Sequence, residues 1–544
     1  MARVVCYMIL GIHDGHDAGA VLIEGERIFA VNEERLNRIK KYRGFPEMSV
    51  AKVLEMADVS PEEVDVIAVA GIFRKQKRLL ELEENLRKTF GPDFKRKVLF
   101  VEHHLAHSAS AYYTSGWREA VALSIDAAGD GLSSSVYIGR EGEMIRIAQS
   151  TYIDSLGDFY SSVTELLGFK PMRHEGKVMS LAAYGRPAYD LSNIIELNGL
   201  SFDNHLGVVG VEATRKLAGL FGYPLRHSRG IALQMKRGNL EGELQKKAIE
   251  IAASAQAHLE KLIEELGLKL GGYDLPLAYA GGVAQNVKAN AVLRQVVGDD
   301  NLWVFPAMDD GGLAFGAAIF VKAQFERLEG KWRPFKLEHV YLGPSYRKEE
   351  VEEFLKGEGV EFEEVDDVPG LVADTLVEGR LVGFFQGAME FGPRALGNRS
   401  ILADPRDESV KKRLNVALQR DVFQPFAPSI LWERAEEYLE DLDGTPNEFM
   451  TMSYTASKEF RKGAPAVVHV DGTTRPQAVR REINPSYHDV IKAFERRTGL
   501  GAVLNTSFNM HGEPIVCSPA DALKTFRNAG LDVLVVEGFA VWGS

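Results

Sequence analysis

Two histidines four residues apart, His103 and His107, lie in EHHLAHSASAYY, just before an apolar run, AVALSI, that ends in Asp126 and the turn AAGDG. If residues 104–113 are helical, both imidazoles project from one face within a turn, the arrangement a shared metal ion takes from helix-borne ligands. Asp126 supplies a carboxylate at the carboxyl end of a buried strand, where α/β sheets open into sites. A second acidic turn, Asp309-Asp310-Gly311-Gly312, follows the short strand NLWVF, and either acid would complete a His, His, Asp, Asp set. The same spacing also suits an ordinary helix face, and the acids suit a helix N-terminus as dipole partners.

Other residue groups point to anions and nucleotides. Gly281-Gly282, followed by Asn286, sits between the strand LPLAYA and a helix start, where unhindered backbone N–H groups approach a phosphate closely. In FKPMRHEGKVMSLAAYG, Arg173, His174, Glu175 and Lys177 crowd among glycines and read as a site-lining loop. Arg394 and Arg399 stand on the glycine-rich stretch FGPRALGNRS, and guanidinium forks pair bidentately with phosphate oxygens. Arg475, Arg480 and Arg481 follow later. The strand AVLN then ends in TSFN, so that Asn505, Ser507 and Asn509 form a polar cluster suited to a planar, hydrogen-bonding ligand, or to a capped turn.

The elements that must position these residues are legible in outline. Residues 8–34 and 120–149 both read as strand, Asp/Gly turn, strand, tight turn, strand. Two such copies separated by α/β sequence predict a duplicated fold of the actin and sugar-kinase type. Between them, EERLNRIKKYRGFP carries Arg35, Arg38, Lys40 and Lys41, which suit a substrate-facing or a solvated surface. Ser60-Pro61-Glu62-Glu63 is a helix-start signal, RKQKRLLELEENLRKTF an exposed helix, and residues 242–272 a long amphipathic helix or a broken one. Residues 185–238 yield no assignment. EGKWRPFKLEHVYLGPS breaks the periodicity and reads as a linker into a second unit.

Composition narrows the function classes. The 544 residues are 45% hydrophobic, enough for proper cores, and the formal net charge of −13 disfavours a nucleic-acid surface. No apolar run has the length of a membrane span, and the opening MARVVCYMILGIHDGH turns polar too early for a secretory signal, so a cytoplasmic protein is expected. Cys6 and Cys517, the only cysteines, offer neither a disulfide framework nor a zinc site, which leaves His, Asp and Glu to hold any metal.

Taken together, HDAGA (16–20), EERLNRIK (33–40), HHLAHSASAY (103–112), SIDAAGDG (124–131), EGKVMSLAAYG (175–185), AGGVAQN (280–286), MEFGPRALGNRSILADPR (389–406) and LNTSFNMHGEPIV (504–516) resemble the ATP-dependent O-carbamoyltransferases of nodulation and antibiotic tailoring. The resemblance covers nearly the whole chain and is most specific at GPRALGNRS and NTSFN. It implies an α/β protein with an N-terminal duplicated actin-like (Kae1-like) carbamoyl-transfer domain, residues 1–335, and a C-terminal α/β YrdC-like domain, residues 336–544. The latter would form carbamoyl adenylate from carbamoyl phosphate and ATP, and the former would pass the carbamoyl group to a hydroxyl of a small-molecule acceptor.

Carried over by position, the resemblance makes His103, His107, Asp126 and Asp310 the metal ligands, with iron(II) implied and Mg(II) accompanying ATP. It prefers Asp310 to Asp309 because the family's acid precedes the glycine pair. His16 or Asp17 is the expected base for the acceptor hydroxyl. Gly129, Asp130, Gly131, Glu175, Lys177, Gly281, Gly282 and Asn286 are expected at the nucleotide of the transfer domain. Arg394, Arg399, Arg420, Arg475, Asn505, Ser507 and Asn509 are expected at carbamoyl phosphate and ATP. Where relatives carry Lys-x-Arg-Glu-x-Phe-Arg, this chain reads LQRDVFQ, so Leu418 and Gln424 replace two cations and Asp421 replaces Glu. That loss supports an alternative, a nucleotide-binding regulator with reduced turnover. Carbamoyl transfer to nitrogen, as in tRNA-modifying or hydrogenase-maturation proteins, is a further alternative, disfavoured by the acidic charge and the absent cysteine-rich segment. No nucleic-acid or membrane partner is expected, and the sequence leaves the oligomeric state open, a homodimer included.

Overall fold

The computed structural model describes residues 7–543, so Cys6 lies outside the described residues. Strands β1 (Met8–His13), β2 (Gly19–Glu24), β3 (Arg27–Asn32), β4 (Val66–Ala70) and β5 (Val98–Val101) form one sheet in the order β3-β2-β1-β4-β5. The first three make an antiparallel meander, and β4 and β5 run parallel to β1. The second sheet repeats this plan. Strands β6 (Glu119–Gly129), β7 (Leu132–Arg140) and β8 (Glu143–Thr151) form the meander, and Leu277–Ala280 and Leu302–Val304 add in parallel beyond β6. The duplicated actin-like plan expected from the two hairpin patterns is therefore present.

Two helices lie between the sheets, His103–Tyr112 against the second and Leu313–Leu328 against the first, and they pack on each other. Their small residues make this possible. A Cβ on Gly316 would overlap the carbonyl of Ala106, and Ala109, Ala314 and Ala317 are fully enclosed in the same core. This close packing fixes the histidine-bearing helix with its N-terminus at the carboxyl end of β6.

The remainder follows the sequence with additions. Residues 185–238, unassigned from the sequence, hold an antiparallel pair, Ile195–Asn198 and Ser201–Asn204, and helices Gly210–Phe221 and Ser228–Lys236. Glu243–Gly271 is one unbroken helix. The C-terminal half is built on a mixed eight-stranded sheet whose first strand is Glu363–Glu364 and whose last is Phe539–Trp542, with Arg399–Ala403 and Ala502–Ser507 paired at its centre. Among the described residues no helix is long and apolar enough to cross a membrane.

Side chains from both halves tie them together. Arg35 donates to the carbonyl of Gly392 at 2.9 Å, and Arg38 to those of Pro514 and Ile515, each at 2.7 Å, while also facing Asp521 at 3.3 Å. These two arginines, read from the sequence as substrate-facing or solvated, are clasps between the halves, because backbone carbonyls at strand and loop ends need donors that water cannot reach. A second tie runs from helix Val287–Val297. Arg294, fully buried, meets Asp299 at 3.1 Å and Asp441 at 2.6 Å and lies 4.3 Å from the centre of the Tyr454 ring. Arg294→Ala strands the buried Asp299 carboxylate and is expected to destabilise the protein by about 3–5 kcal/mol, read as a lowered denaturant midpoint.

Candidate functional site

The structure brings His103, His107, Asp126 and Asp310 together. One donor atom from each lies within 4.8 Å of all the others, and all four side chains are buried. His103 Nε2 is 3.1 Å from Asp126 Oδ2 and 3.7 Å from Asp310 Oδ1, and His107 Nε2 is 3.4 Å from each of the same oxygens. Local chemistry explains the convergence. Glu102 caps the helix by accepting from the N–H groups of His104 and Leu105, which starts it where both imidazoles face the strand end. Gly129 lets the strand pass: a Cβ there would overlap the His103 ring. Gly281, at φ +100°, lies against the carbonyl of Ile125 and keeps its loop beside Asp126. Asp310 starts the turn Asp310–Gly312 ahead of Leu313–Leu328.

The electrostatics are those of a preformed cation site. Burial pushes the Asp126 and Asp310 carboxyls up, yet the facing imidazoles hold both below the usual carboxylate range, with His16 the largest lowering influence on Asp310. Burial opposes charge on His107, but the two carboxylates raise it to about 9. His107 Nε2 is buried and lacks a hydrogen-bond partner. Two imidazole nitrogens and two carboxylate oxygens around an unsatisfied buried nitrogen fit a first-row divalent ion.

A cavity of about 350 Å³ opens beside the quartet and is walled by both halves of the chain. Of the expected residues, His16, Asp17, Asp126, Asp310, Glu175, Gly282 and Asn286 line it. His16 sits between two carboxylates, with Nε2 3.2 Å from Asp310 and Nδ1 3.1 Å from Asp17, whose other neighbour is Lys41 at 3.1 Å. A second cavity of about 340 Å³ is lined by Asn505, Ser507 and Asn509, together with Lys40, Arg173, His174 and His511. Arg394, Arg420 and Arg475 line both cavities and so form the wall between them. No carboxylate pairs with Arg394 or Arg475, and their Nε atoms are buried without partners. Burial lowers both guanidiniums, and Arg475 is lowered further by the neighbouring charges of Arg394 and Arg420. Like charges held together without counterions describe an anion site.

Several expectations are corrected. Arg399 lines neither cavity: it is fully buried, stacks 3.5 Å from the Phe385 ring centre and donates to the carbonyls of Pro344, Gln386, Gly387 and Asn398. Both terminal nitrogens of its fork are taken by backbone, and although its Nε is buried without a partner it faces neither cavity, so it shapes the loop. Asp130, with its neighbours Gly129 and Gly131, also stands outside the cavities. Its carboxylate accepts from the N–H groups of Ile72, Phe73 and His103, each at 2.8 Å, and ties β6 to the loop after β4. Lys177, expected at the transfer-domain nucleotide, instead lines the second cavity and pairs with Asp421 across the halves at 2.7 Å. Arg480 and Arg481 are likewise occupied, by Glu448 and Glu338 and by Asp489. Gly281 itself lines no cavity. Sequence reasoning missed Gln285 and His511 as lining residues, whereas Lys41 and His174 stand on stretches already read as substrate-facing and site-lining.

Comparison with known proteins agrees with this architecture. The family model described as Carbamoyltransferase N-terminus matches residues 8–87 and 72–319, and that described as Carbamoyltransferase C-terminus matches residues 373–542. The chain is 39% identical to an uncharacterised protein of Methanocaldococcus jannaschii, over 98% of this chain and 99% of that one. It is 36% identical to the nodulation protein NolNO of Sinorhizobium fredii, over 97% of this chain and 79% of that one. Among solved structures, T. kodakarensis HypF aligns over 61% of this chain and 49% of its own, with 12% identity and a TM-score of 0.35. With both family models matched along most of its length, the chain belongs to the carbamoyltransferase family.

Proposed function

We propose that the chain is a two-site, ATP-dependent O-carbamoyltransferase, its Kae1-like transfer half and YrdC-like adenylating half meeting at the arginine wall. In the second cavity, carbamoyl phosphate and water give carbamate and phosphate. A carbamate oxygen then attacks the α-phosphorus of ATP, and pyrophosphate leaves. The resulting carbamoyl adenylate passes to the first cavity, where an acceptor hydroxyl attacks the carbamoyl carbon, AMP departs and one proton is released. The observation that carries this reading is the pair of adjoining cavities, one beside a four-ligand cation site and the other rich in cations, sharing Arg394, Arg420 and Arg475. A small anionic intermediate need only cross one guanidinium wall.

The residues divide the work as follows. Arg394 and Arg475, without protein counterions, take the phosphate oxygens, while Arg420, 3.2 Å from Thr506 Oγ1 and stacked over Phe426, is held in place beside them. Asn505 donates to Ala395, Ser429 and Gln477 and keeps a buried Oδ1 without a partner, suited to accept from a carbamoyl N–H. In the first cavity His16, raised to about 9 by Asp310 and Asp17, is held as an imidazolium that orients the acceptor hydroxyl, and the Asp17 carboxylate beside it takes the acceptor proton. His103, His107, Asp126 and Asp310 would hold iron(II), which when bound supplies Lewis acidity beside the leaving phosphate.

Cations from elsewhere in the chain weigh against the regulator alternative, whose support is the loss at Leu418 and Gln424. Lys40, Arg173 and Lys177, all from the N-terminal half, line the cavity where those cations are missing. The test is to incubate the purified full-length protein with ATP and carbamoyl phosphate and to measure pyrophosphate and AMP. Carbamoyl phosphate-dependent release of both is expected. If ATP binds by calorimetry but neither product forms, the adenylation reading is wrong and a regulator is the better account.

A further inference from the structure

His469 belongs to none of the groups that the proposed mechanism uses, yet it lines the first cavity from the C-terminal half. Its side chain is only 8% exposed, and its Nε2 is buried without a hydrogen-bond partner. The other ring nitrogen faces Asp471 at 3.6 Å. Asp471 is itself fixed: Lys288 of the N-terminal half pairs with it, and Thr473 donates to it from its N–H at 3.1 Å and its hydroxyl at 2.7 Å. The turn closes on itself, since His469 N–H donates to the Thr473 carbonyl at 2.8 Å and Gly472 N–H to the His469 carbonyl at 2.9 Å. A carboxylate on Nδ1 favours the tautomer that carries its proton there, which leaves Nε2 as an acceptor.

The cavity wall that His469 joins is mixed, with Lys288, Thr473 and Thr474 beside apolar side chains. Tyr184, just beyond helix Glu175–Ala182, meets the His469 ring edge-on at 5.9 Å, and that helix brings Met179 to the cavity. Lys288, the partner of Asp471, opens the helix whose first residue, Val287, also lines the cavity, as do Val283, Leu259 and Val467. A cavity that offers apolar side chains together with an unsatisfied buried acceptor suits a purine ring that presents an amino group.

We propose that His469, oriented by Asp471, is a specificity-determining residue that reads the exocyclic amino group of the adenine in the first cavity. The C-terminal half thereby grips the nucleoside of the intermediate while it occupies the transfer site. This inference rests on the adenylate reading. A buried acceptor facing an amino group gains a hydrogen bond, whereas the carbonyl of hypoxanthine in the same place sets acceptor against acceptor.

AMP and IMP, which differ at that single substituent, are titrated by calorimetry into the full-length protein and into His469→Ala and Asp471→Asn. The wild-type protein is expected to prefer AMP by about tenfold or more, His469→Ala to bind the two within about twofold of each other, and Asp471→Asn to fall between. A wild-type preference that survives unchanged in either variant overturns the assignment of His469 and leaves the adenylate reading standing. A wild-type protein that binds neither nucleotide overturns both. If His469→Ala does not fold, Asp471→Asn decides, because it keeps the imidazole while removing the charge that sets its tautomer and pairs with Lys288.

Discussion

Anaerobically purified protein in which His103 and His107 are both replaced by alanine is expected to carry less than about a tenth of the wild-type iron and to transfer carbamoyl at least about a hundredfold more slowly. The argument is one of donor count. The four donor atoms lie within 4.8 Å of one another, and the two histidines supply both nitrogens. Without them two carboxylates remain, a set that suits magnesium or calcium better than iron. The loss must be selective. In the proposed division of work, pyrophosphate release dependent on carbamoyl phosphate rests on the arginine wall and the second cavity, neither of which contains the histidines, and it is expected to persist. Because the double substitution also leaves Asp126 and Asp310 buried and facing each other, His107→Gln is the companion variant, retaining a donor for the carboxylates while removing the imidazole. Iron content unchanged in both variants would show that the ion is held elsewhere, and equal loss of both half-reactions would show that the two cavities do not divide the chemistry.

The parts of this molecule that could be read from sequence are those set by local geometry. His103 and His107 share a face because of helical pitch, and Asp126 and the Asp309-Asp310 pair stand at strand ends because glycine turns follow apolar runs. The duplicated sheets were legible for the same reason, since a meander is a pattern of alternation and tight turns. What failed was the separation of two uses of one residue type. Arg394 and Arg399 stand on the same glycine-rich stretch and have the same fork, yet one lines both cavities and the other donates to four backbone carbonyls. Asp130 looks like a ligand-binding turn and is a cap on three backbone amides. Burial and partner count decide such cases, and both are tertiary quantities. The same limit hid Lys177 and Asp421, which meet from positions 244 residues apart, and left Leu418 and Gln424 looking like an uncompensated loss of charge when Lys40, Arg173 and Lys177 stand across the cavity. The basic run from Arg35 to Lys41 divides for the same reason, its arginines joining the halves and its lysines lining the cavities.

Arg475→Met is expected to stabilise the ligand-free protein while lowering carbamoyl phosphate-dependent AMP formation by about 10²–10³-fold. In the free protein Arg475 is enclosed, has no carboxylate partner, carries a buried Nε without a hydrogen-bond acceptor, and is repelled by Arg394 and Arg420. Each of these terms disfavours the folded state, and methionine, of similar length and without charge, removes all of them at about 1–3 kcal/mol of net gain. The melting temperature of the free variant should therefore rise by a few degrees. Phosphate ligands reverse the order. An anion that binds the folded protein stabilises it by mass action, so millimolar pyrophosphate should raise the wild-type melting temperature and leave that of Arg475→Met nearly unmoved. The crossing of the two curves is what distinguishes an arginine kept for an anion from one kept for structure. Arg399→Met supplies the contrast: with the Gln386 and Gly387 carbonyls losing their side-chain donor, those of Pro344 and Asn398 each losing one of two donors, and a stacked ring uncovered, it is expected to melt well below the wild type whether or not pyrophosphate is present. Should Arg475→Met melt lower than the wild type in the absence of ligand and still form AMP at the wild-type rate, Arg475 would be a structural residue and the wall between the cavities would have to be assigned to Arg394 and Arg420 alone.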